Sequence, residues 1–214
     1  RRKDEFLATL AHELRNPLAP VRNGIQVLRL GGHDPAARER AVDMMDRQIV
    51  HLVRLVDDLL DVSRVNSGKV ALRLEAVDLR EIVEAAVEIS RQMIDAGGHA
   101  LVIHPADEPL PLEADRTRLV QVLANLLNNA AKYTPHGGRI EVAAVREGAE
   151  AVVRVTDSGV GISSEMLPRV FDMFTQIGLT IDRSQGGLGI GLTLVRRLVE
   201  MHGGTVSARS EGAG

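Results

Sequence analysis

Apolar residues recur every seven positions through the first 30 residues. Leu7, Leu14, Val21 and Leu28 form one row, and Ala11, Leu18 and Ile25 form a second, four residues after the first. Such rows predict one long helix over residues 1–30 with a seam suited to a coiled coil or bundle. Gly31-Gly32-His33-Asp34-Pro35 breaks it. A second helix is predicted over 37–66, with Val42, Ile49 and Val56 in one row and Met45, Leu52 and Leu59 in the other. Val53, Leu55 and Leu60 widen its apolar stripe. The two helices make a hairpin whose stripe is too wide for the hairpin to cover. Two hairpins should therefore pair into a dimeric four-helix bundle.

Ser67-Gly68-Lys69 reads as a linker, and the pattern changes after it. Val70–Leu74 alternates like a strand, and Asp78 caps a helix running to about Ala96. Ala100–His104 and Leu110–Glu113 read as short strands. Asp115 caps a strong helix that ends at Tyr133, before Thr134-Pro135-His136-Gly137-Gly138. Arg139–Val145 and Ala151–Thr156 form a predicted hairpin around Gly148, followed by a glycine-rich turn from Asp157 to Ile162. Ser163–Phe171 reads as a short helix, Leu188–His202 as another and Thr205–Ser210 as a strand. The polar stretch Asp172–Gly187 is long enough to be a mobile lid. Strands and helices mix without strict alternation. The predicted fold class is therefore α+β: a helical hairpin over 1–67, then an α/β sandwich over 68–214.

Composition narrows the function. Of 214 residues 44% are hydrophobic, enough for a core, yet the only aromatics are Phe6, Tyr133, Phe171 and Phe174. Single-stranded nucleic acid would find no stacking platforms. A net charge of −3 offers no large positive field for a phosphate backbone. The absence of cysteine excludes disulfides and thiolate metal sites and suits a reducing compartment. No apolar run reaches the ~18 residues of a membrane span, and no signal peptide is visible. The chain begins mid-pattern at Arg1-Arg2-Lys3-Asp4. It reads as part of something longer, with any sensor or membrane anchor upstream.

Four segments carry chemistry. The first is Phe6–Pro17. With Leu7 and Ala11 on the seam, His12 lies well round the helix and should face water. A lone helical histidine is ordinarily surface decoration, but Glu13 sits beside this one, Asn16 is four residues on and Pro17 stands mid-helix. A neutral imidazole is a nucleophile at neutral pH. Glu13 could take or orient its other proton, and Asn16 could position a water for the reverse chemistry.

The second is Asn125–Thr134, with three asparagines in five residues of a helix they disfavour. Amide oxygens at Asn125 and Asn129 suit Mg²⁺, Lys132 can meet phosphate as a point charge, and Tyr133 can lie against a flat base. The competing reading is a polar helix face with buried amide pairs. The third is Asp157-Ser-Gly159-Val-Gly161, in which a carboxylate at a strand end could accept from an exocyclic amine such as adenine's. Turns of this composition are also common by themselves. The fourth is Gly186-Gly187-Leu188-Gly189-Ile-Gly191-Leu192 at a helix start. It is either an anion cradle or a loop shaped only by packing.

In this order, the four segments resemble the sensor histidine kinases of two-component systems. The resemblance covers nearly the whole chain. The box His-Glu-Leu-Arg-Asn-Pro stands at 12–17, the asparagine box at 125–134, and the two glycine boxes at Asp157–Gly161 and Gly187–Gly191. Val170-Phe171-Asp172-Met173-Phe174 resembles the phenylalanine box before the lid. Residues 1–67 look like the dimerising phosphoacceptor hairpin. The remainder looks like the ATP-binding domain shared with gyrase, heat-shock chaperone and mismatch-repair ATPases.

The resemblance implies an ATP-dependent histidine kinase that phosphorylates its own His12. It would then pass the phosphoryl group to an Asp of a response-regulator receiver domain, with phosphatase activity toward that partner. Glu13 would be the base and Asn16 would support dephosphorylation. Asn129 would ligate Mg²⁺, helped by Asn125. Asp157 would bind the adenine amine, Tyr133 the base and Lys132 the phosphates. Gly159, Gly161, Gly187, Leu188, Gly189, Gly191 and Leu192 would line the ATP pocket. The working form would be a homodimer in the cytoplasm, without nucleic acid as partner. The alternatives are a catalytically silent nucleotide-binding scaffold and a gyrase- or chaperone-type ATPase without a phosphoenzyme. The family domain usually ends with a further strand, whereas this sequence stops at Gly212-Ala-Gly214. That is read as truncation or disorder rather than a different fold.

Overall fold

The computed structural model describes residues 2–30, 34–66, 71–173, 175 and 189–212. Helix α1 spans Arg2–Arg29 and continues through Pro17 and Pro20. Helix α2 spans Pro35–Asn66, and the two pack together. Their heptad rows separate into two kinds. Leu14, Val21 and Leu28 of α1 are half-buried, as are Met45, Leu52 and Leu59 of α2. Leu18 and Ile25 of α1 stay exposed, as do Val42, Ile49 and Val56 of α2. One row on each helix thus closes the hairpin, and the other is left facing outward.

The α/β part follows in the order β1 (Glu75–Asp78), α3 (Leu79–Ala96), β2 (Ala100–His104), β3 (Pro111–Ala114), α4 (Arg116–Tyr133), β4 (Arg139–Glu147), β5 (Glu150–Asp157) and α5 (Gly191–Met201). The main sheet has the order β2-β4-β5, with β2 parallel to β4 and β5 antiparallel to it. A separate ribbon pairs β1 with β3 antiparallel. Helix α3 packs on α4 and α4 on α5, while α4 also meets β4 and β5. Ile82, Ile94, Leu127, Ile140, Val142, Leu194, Val195 and Leu198 form the fully buried centre. Leu55 of α2 belongs to the same cluster and Leu10 of α1 packs against it, so the hairpin is joined to the sandwich where α2 meets α5.

The caps explain where the helices begin. Asp78 accepts from the Arg80 N–H at 2.8 Å. Asp115 accepts from the Arg118 N–H at 3.1 Å. Each such cap contributes about 1 kcal/mol. Asp115 also accepts from the Arg73 N–H at 3.0 Å.

That bond corrects the strand expected at 70–74. The Arg73 donor is committed to a carboxylate, residues 71–74 form no ladder, and the strand lies at 75–78 instead. Ser163–Phe171 is not a helix. Met166 and Leu167 both donate to the Ser163 carbonyl, Pro168 has no N–H to propagate the turn, and only a 3₁₀ turn over Leu167–Arg169 forms. The last helix begins at Gly191, three residues later than expected. Residues 205–210 join no sheet. Val206, Ala208 and Ser210 are half-buried between exposed neighbours, so the alternation is real but no ladder forms along it.

Candidate functional site

Helix α4 carries the asparagines. Asn125 and Asn129 are one turn apart and both half-buried. Neither side chain has a hydrogen bond among the described residues, and the Asn125 amide nitrogen is buried without a partner there. The polar face is therefore not a set of paired amides, which leaves its oxygens available to a hard cation. At the end of the helix the Lys132 ammonium lies 5.0 Å from the centre of the Tyr133 ring, and Tyr133 is exposed.

Strand β5 delivers Asp157 to the same end. Asp157 is the cross-strand partner of Ile140, whose side chain is buried against the helices, so the carboxylate is set on the helix-facing side of the sheet. It is exposed at the strand end, and its Oδ1 accepts from the Gly159 N–H at 2.9 Å. The glycine turn then docks on α4: the Val160 N–H donates to the Tyr133 carbonyl at 3.1 Å. A Cβ at Gly159 would stand 2.7 Å from that carbonyl oxygen, so the approach needs glycine.

From the other side, the Ile162 N–H donates to Ser210 Oγ at 2.9 Å. Gly161 has φ +70°, and a Cβ there would run into the Gly212 carbonyl. The turn is thus clamped between the end of α4 and the segment 210–212. Sequence reading passed over Ser210, because a serine near a chain end carries no local signal of its distant partner.

The second glycine segment is described from Gly189 onward. Gly189 and Leu192 are half-buried, and Gly191 faces open space. Helix α5 starts without a side-chain cap, so its first N–H groups remain available to an anion. Thr193 Oγ1 donates to the Phe171 carbonyl at 3.0 Å, tying this helix start to the segment that follows the 3₁₀ turn. Gly187, Leu188, Phe174 and nearly all of 172–188 lie outside the described residues.

The structure therefore brings together Asn125, Asn129, Lys132, Tyr133, Asp157, Gly159 and Gly161, with α5 packed on α4 beside them. The segment that bears His12 sits on α1, where Asn16 is exposed and Pro17 buried. The side chains of His12 and Glu13 lie outside the described residues.

Comparison with known proteins gives two family matches. Residues 2–68 match the His Kinase A (phospho-acceptor) domain. Residues 114–214 match the histidine kinase-, DNA gyrase B- and HSP90-like ATPase family. A hairpin of the first kind followed by a sandwich of the second defines one class, and the chain belongs to it: the sensor histidine kinases of two-component systems.

Among relatives, it is 37% identical over 216 residues to the autoinducer 2 sensor kinase/phosphatase LuxQ of Vibrio cholerae, covering 99% of this chain and 25% of that protein. Among solved structures, the histidine kinase AdeS of Acinetobacter baumannii superposes with a TM-score of 0.73 at 26% identity, over 94% of this chain and 92% of that one. Full-length ShkA in complex with AMPPNP gives 0.66 at 28% identity, over 96% and 44%. The chain spans about a quarter to a third of the length of the curated relatives it matches. Among the described residues no helix is long and apolar enough to cross a membrane.

Proposed function

We propose that this chain is the catalytic part of an ATP-dependent histidine kinase. It phosphorylates His12 and passes the phosphoryl group to an aspartate of a response-regulator receiver domain. The observation that carries the reading is the docking of the Asp157–Gly161 turn on the Lys132–Tyr133 end of the asparagine helix, in a chain whose first helix bears His12. Asp157, with its carboxylate on the helix side of the sheet, accepts from the adenine amine. Tyr133 meets the base and Lys132 the phosphates. Gly189, Gly191 and Leu192, at the uncapped start of α5, give the phosphates backbone donors.

Asn129, helped by Asn125, would hold Mg²⁺, and unpaired amides suit it. When bound, such an ion neutralises phosphate charge during transfer. The ShkA neighbour was solved in complex with AMPPNP, an ATP analogue, which supports ATP as the nucleotide of this chain.

Glu13 draws the proton from one imidazole nitrogen while the other attacks the γ-phosphorus of ATP, whose bond to the bridging oxygen breaks to release ADP, and positioning supplies most of the rate. Asn16, exposed on α1, orients water for loss of phosphate from the partner. The LuxQ relative, named a kinase/phosphatase, is in keeping with both activities. The outward rows Leu18, Ile25, Val42, Ile49 and Val56 are covered by a second copy. The domains divide at 1–67 and 68–214, and the location is cytoplasmic. The test is incubation with γ-labelled ATP and Mg²⁺, then mapping of the label. Acid-labile, base-stable label on His12 is expected, and label elsewhere rejects the reading.

A further inference from the structure

His99 stands outside every motif named so far, yet it is 9% exposed and its ring is engaged. Its Nε2 lies 3.0 Å from the Ala131 carbonyl oxygen. A carbonyl only accepts, so Nε2 carries the proton, and Nδ1 is left buried without a partner among the described residues. The reason Ala131 needs a donor from elsewhere is in the sequence. In a continuing helix its carbonyl would accept from residue 135, and that residue is Pro135, which has no N–H. The neighbouring carbonyl is served normally, by the Thr134 N–H to Ala130 at 3.1 Å. His99 therefore fills one vacancy in the last turn of α4, the turn that carries Lys132 and Tyr133.

The surroundings are shaped for this bond. A Cβ at Gly97 would stand 2.1 Å from His99 Nε2, so only glycine there leaves room for the ring. The same segment holds the chain beyond α4, because the Gly137 N–H donates to the Gly97 carbonyl at 3.0 Å and the Ala100 N–H to Gly138 at 2.8 Å. On its other side this helix end receives the glycine turn, through Val160 and the Tyr133 carbonyl. We infer that His99 is a positioning residue: its donated hydrogen bond to Ala131 fixes the end of the asparagine helix and so sets Tyr133 and Lys132 for the nucleotide. The inference rests on the reading of this cleft as an ATP site.

Its test has a readout that needs no ATP. The chain holds one tyrosine and no tryptophan, so intrinsic emission reports Tyr133 alone. His99→Leu removes the donor at similar bulk, and His99→Gln keeps an N–H near the position of Nε2. Loss of a buried donor predicts about tenfold weaker ATP binding for the leucine variant and near wild-type binding for glutamine. Acrylamide quenching of Tyr133 in the nucleotide-free protein should rise for leucine and not for glutamine. Gly97→Ala, which pushes the ring aside, should follow leucine and serves if the leucine variant does not fold.

A role in general stability alone would lower the melting temperature of the variants without changing Tyr133 quenching, and that result overturns the inference. So does equal behaviour of leucine and glutamine. Failure of the wild type to bind ATP would instead reject the reading of the cleft, and the quenching comparison would still decide on His99.

Discussion

The hairpin and the sandwich use similar apolar residues to different ends. In the sandwich, the inward positions of α3, α4, α5 and β4 close on one another, and side chains such as Ile82, Leu127, Ile140 and Leu198 are sealed. In the hairpin one row per helix is half-buried among the described residues, and Leu18, Ile25, Val42, Ile49 and Val56 remain exposed. A completed core can hold a cleft in fixed geometry. An incomplete one calls for a second copy. The two regions should therefore fail separately when they are broken.

The largest separation comes from His12→Gln. Label from γ-labelled ATP should vanish from the protein while calorimetric ATP binding stays at the wild-type value. Next is Ile49→Asp, which would place an unpaired carboxylate in the paired bundle. Uncompensated buried charge costs about 3–5 kcal/mol. Sedimentation should then show monomers at concentrations where the parent is dimeric, with ATP affinity retained. Asp157→Ala breaks the opposite half. A hydrogen bond to a charged group contributes about 1.5–3 kcal/mol, so titration should give roughly 10–100-fold weaker ATP binding with dimerisation unchanged.

The smallest effect is at Asp115. Burial pushes this carboxyl up, but the N–H groups of Arg73 and Arg118 and the Arg118 charge together outweigh it and hold it below the usual aspartate value. The stability it contributes is complete above the unfolded value of about 3.9 and is lost as pH falls through the lower folded value. Asp115→Asn keeps only one oxygen for the Arg73 and Arg118 N–H groups, so it should cost about 1 kcal/mol in urea melts at pH 7, and the gap should close below about pH 4.

What the sequence made legible followed the same line. Helices with a strong stripe and a capping aspartate, such as Leu79–Ala96 behind Asp78 and Arg116–Tyr133 behind Asp115, lie where pattern and cap place them. So does the hairpin turning at Gly148, whose strands run Arg139–Glu147 and Glu150–Asp157. The misses came where a distant group decided the outcome. Arg73 gives its N–H to a carboxylate 42 residues on, so an alternating run became an extended lead-in to the true strand. Pro168 stopped a helix its neighbours would have supported. The asparagine helix and the first glycine turn were recognisable as motifs. Their contact, Val160 to Tyr133, is a tertiary bond that no local pattern encodes, and neither is the His99 bond to Ala131.

The clamp on the glycine turn also sets an order of events during synthesis. The hydroxyl that secures Ile162 belongs to Ser210, 48 residues further along. A chain emerging from the ribosome can bury the interior of the sandwich as soon as α5 is out, yet the turn at Asp157–Ile162 stays unfastened until Ser210 follows. Nascent protein of this kind should acquire its compact shape before that turn is held in place.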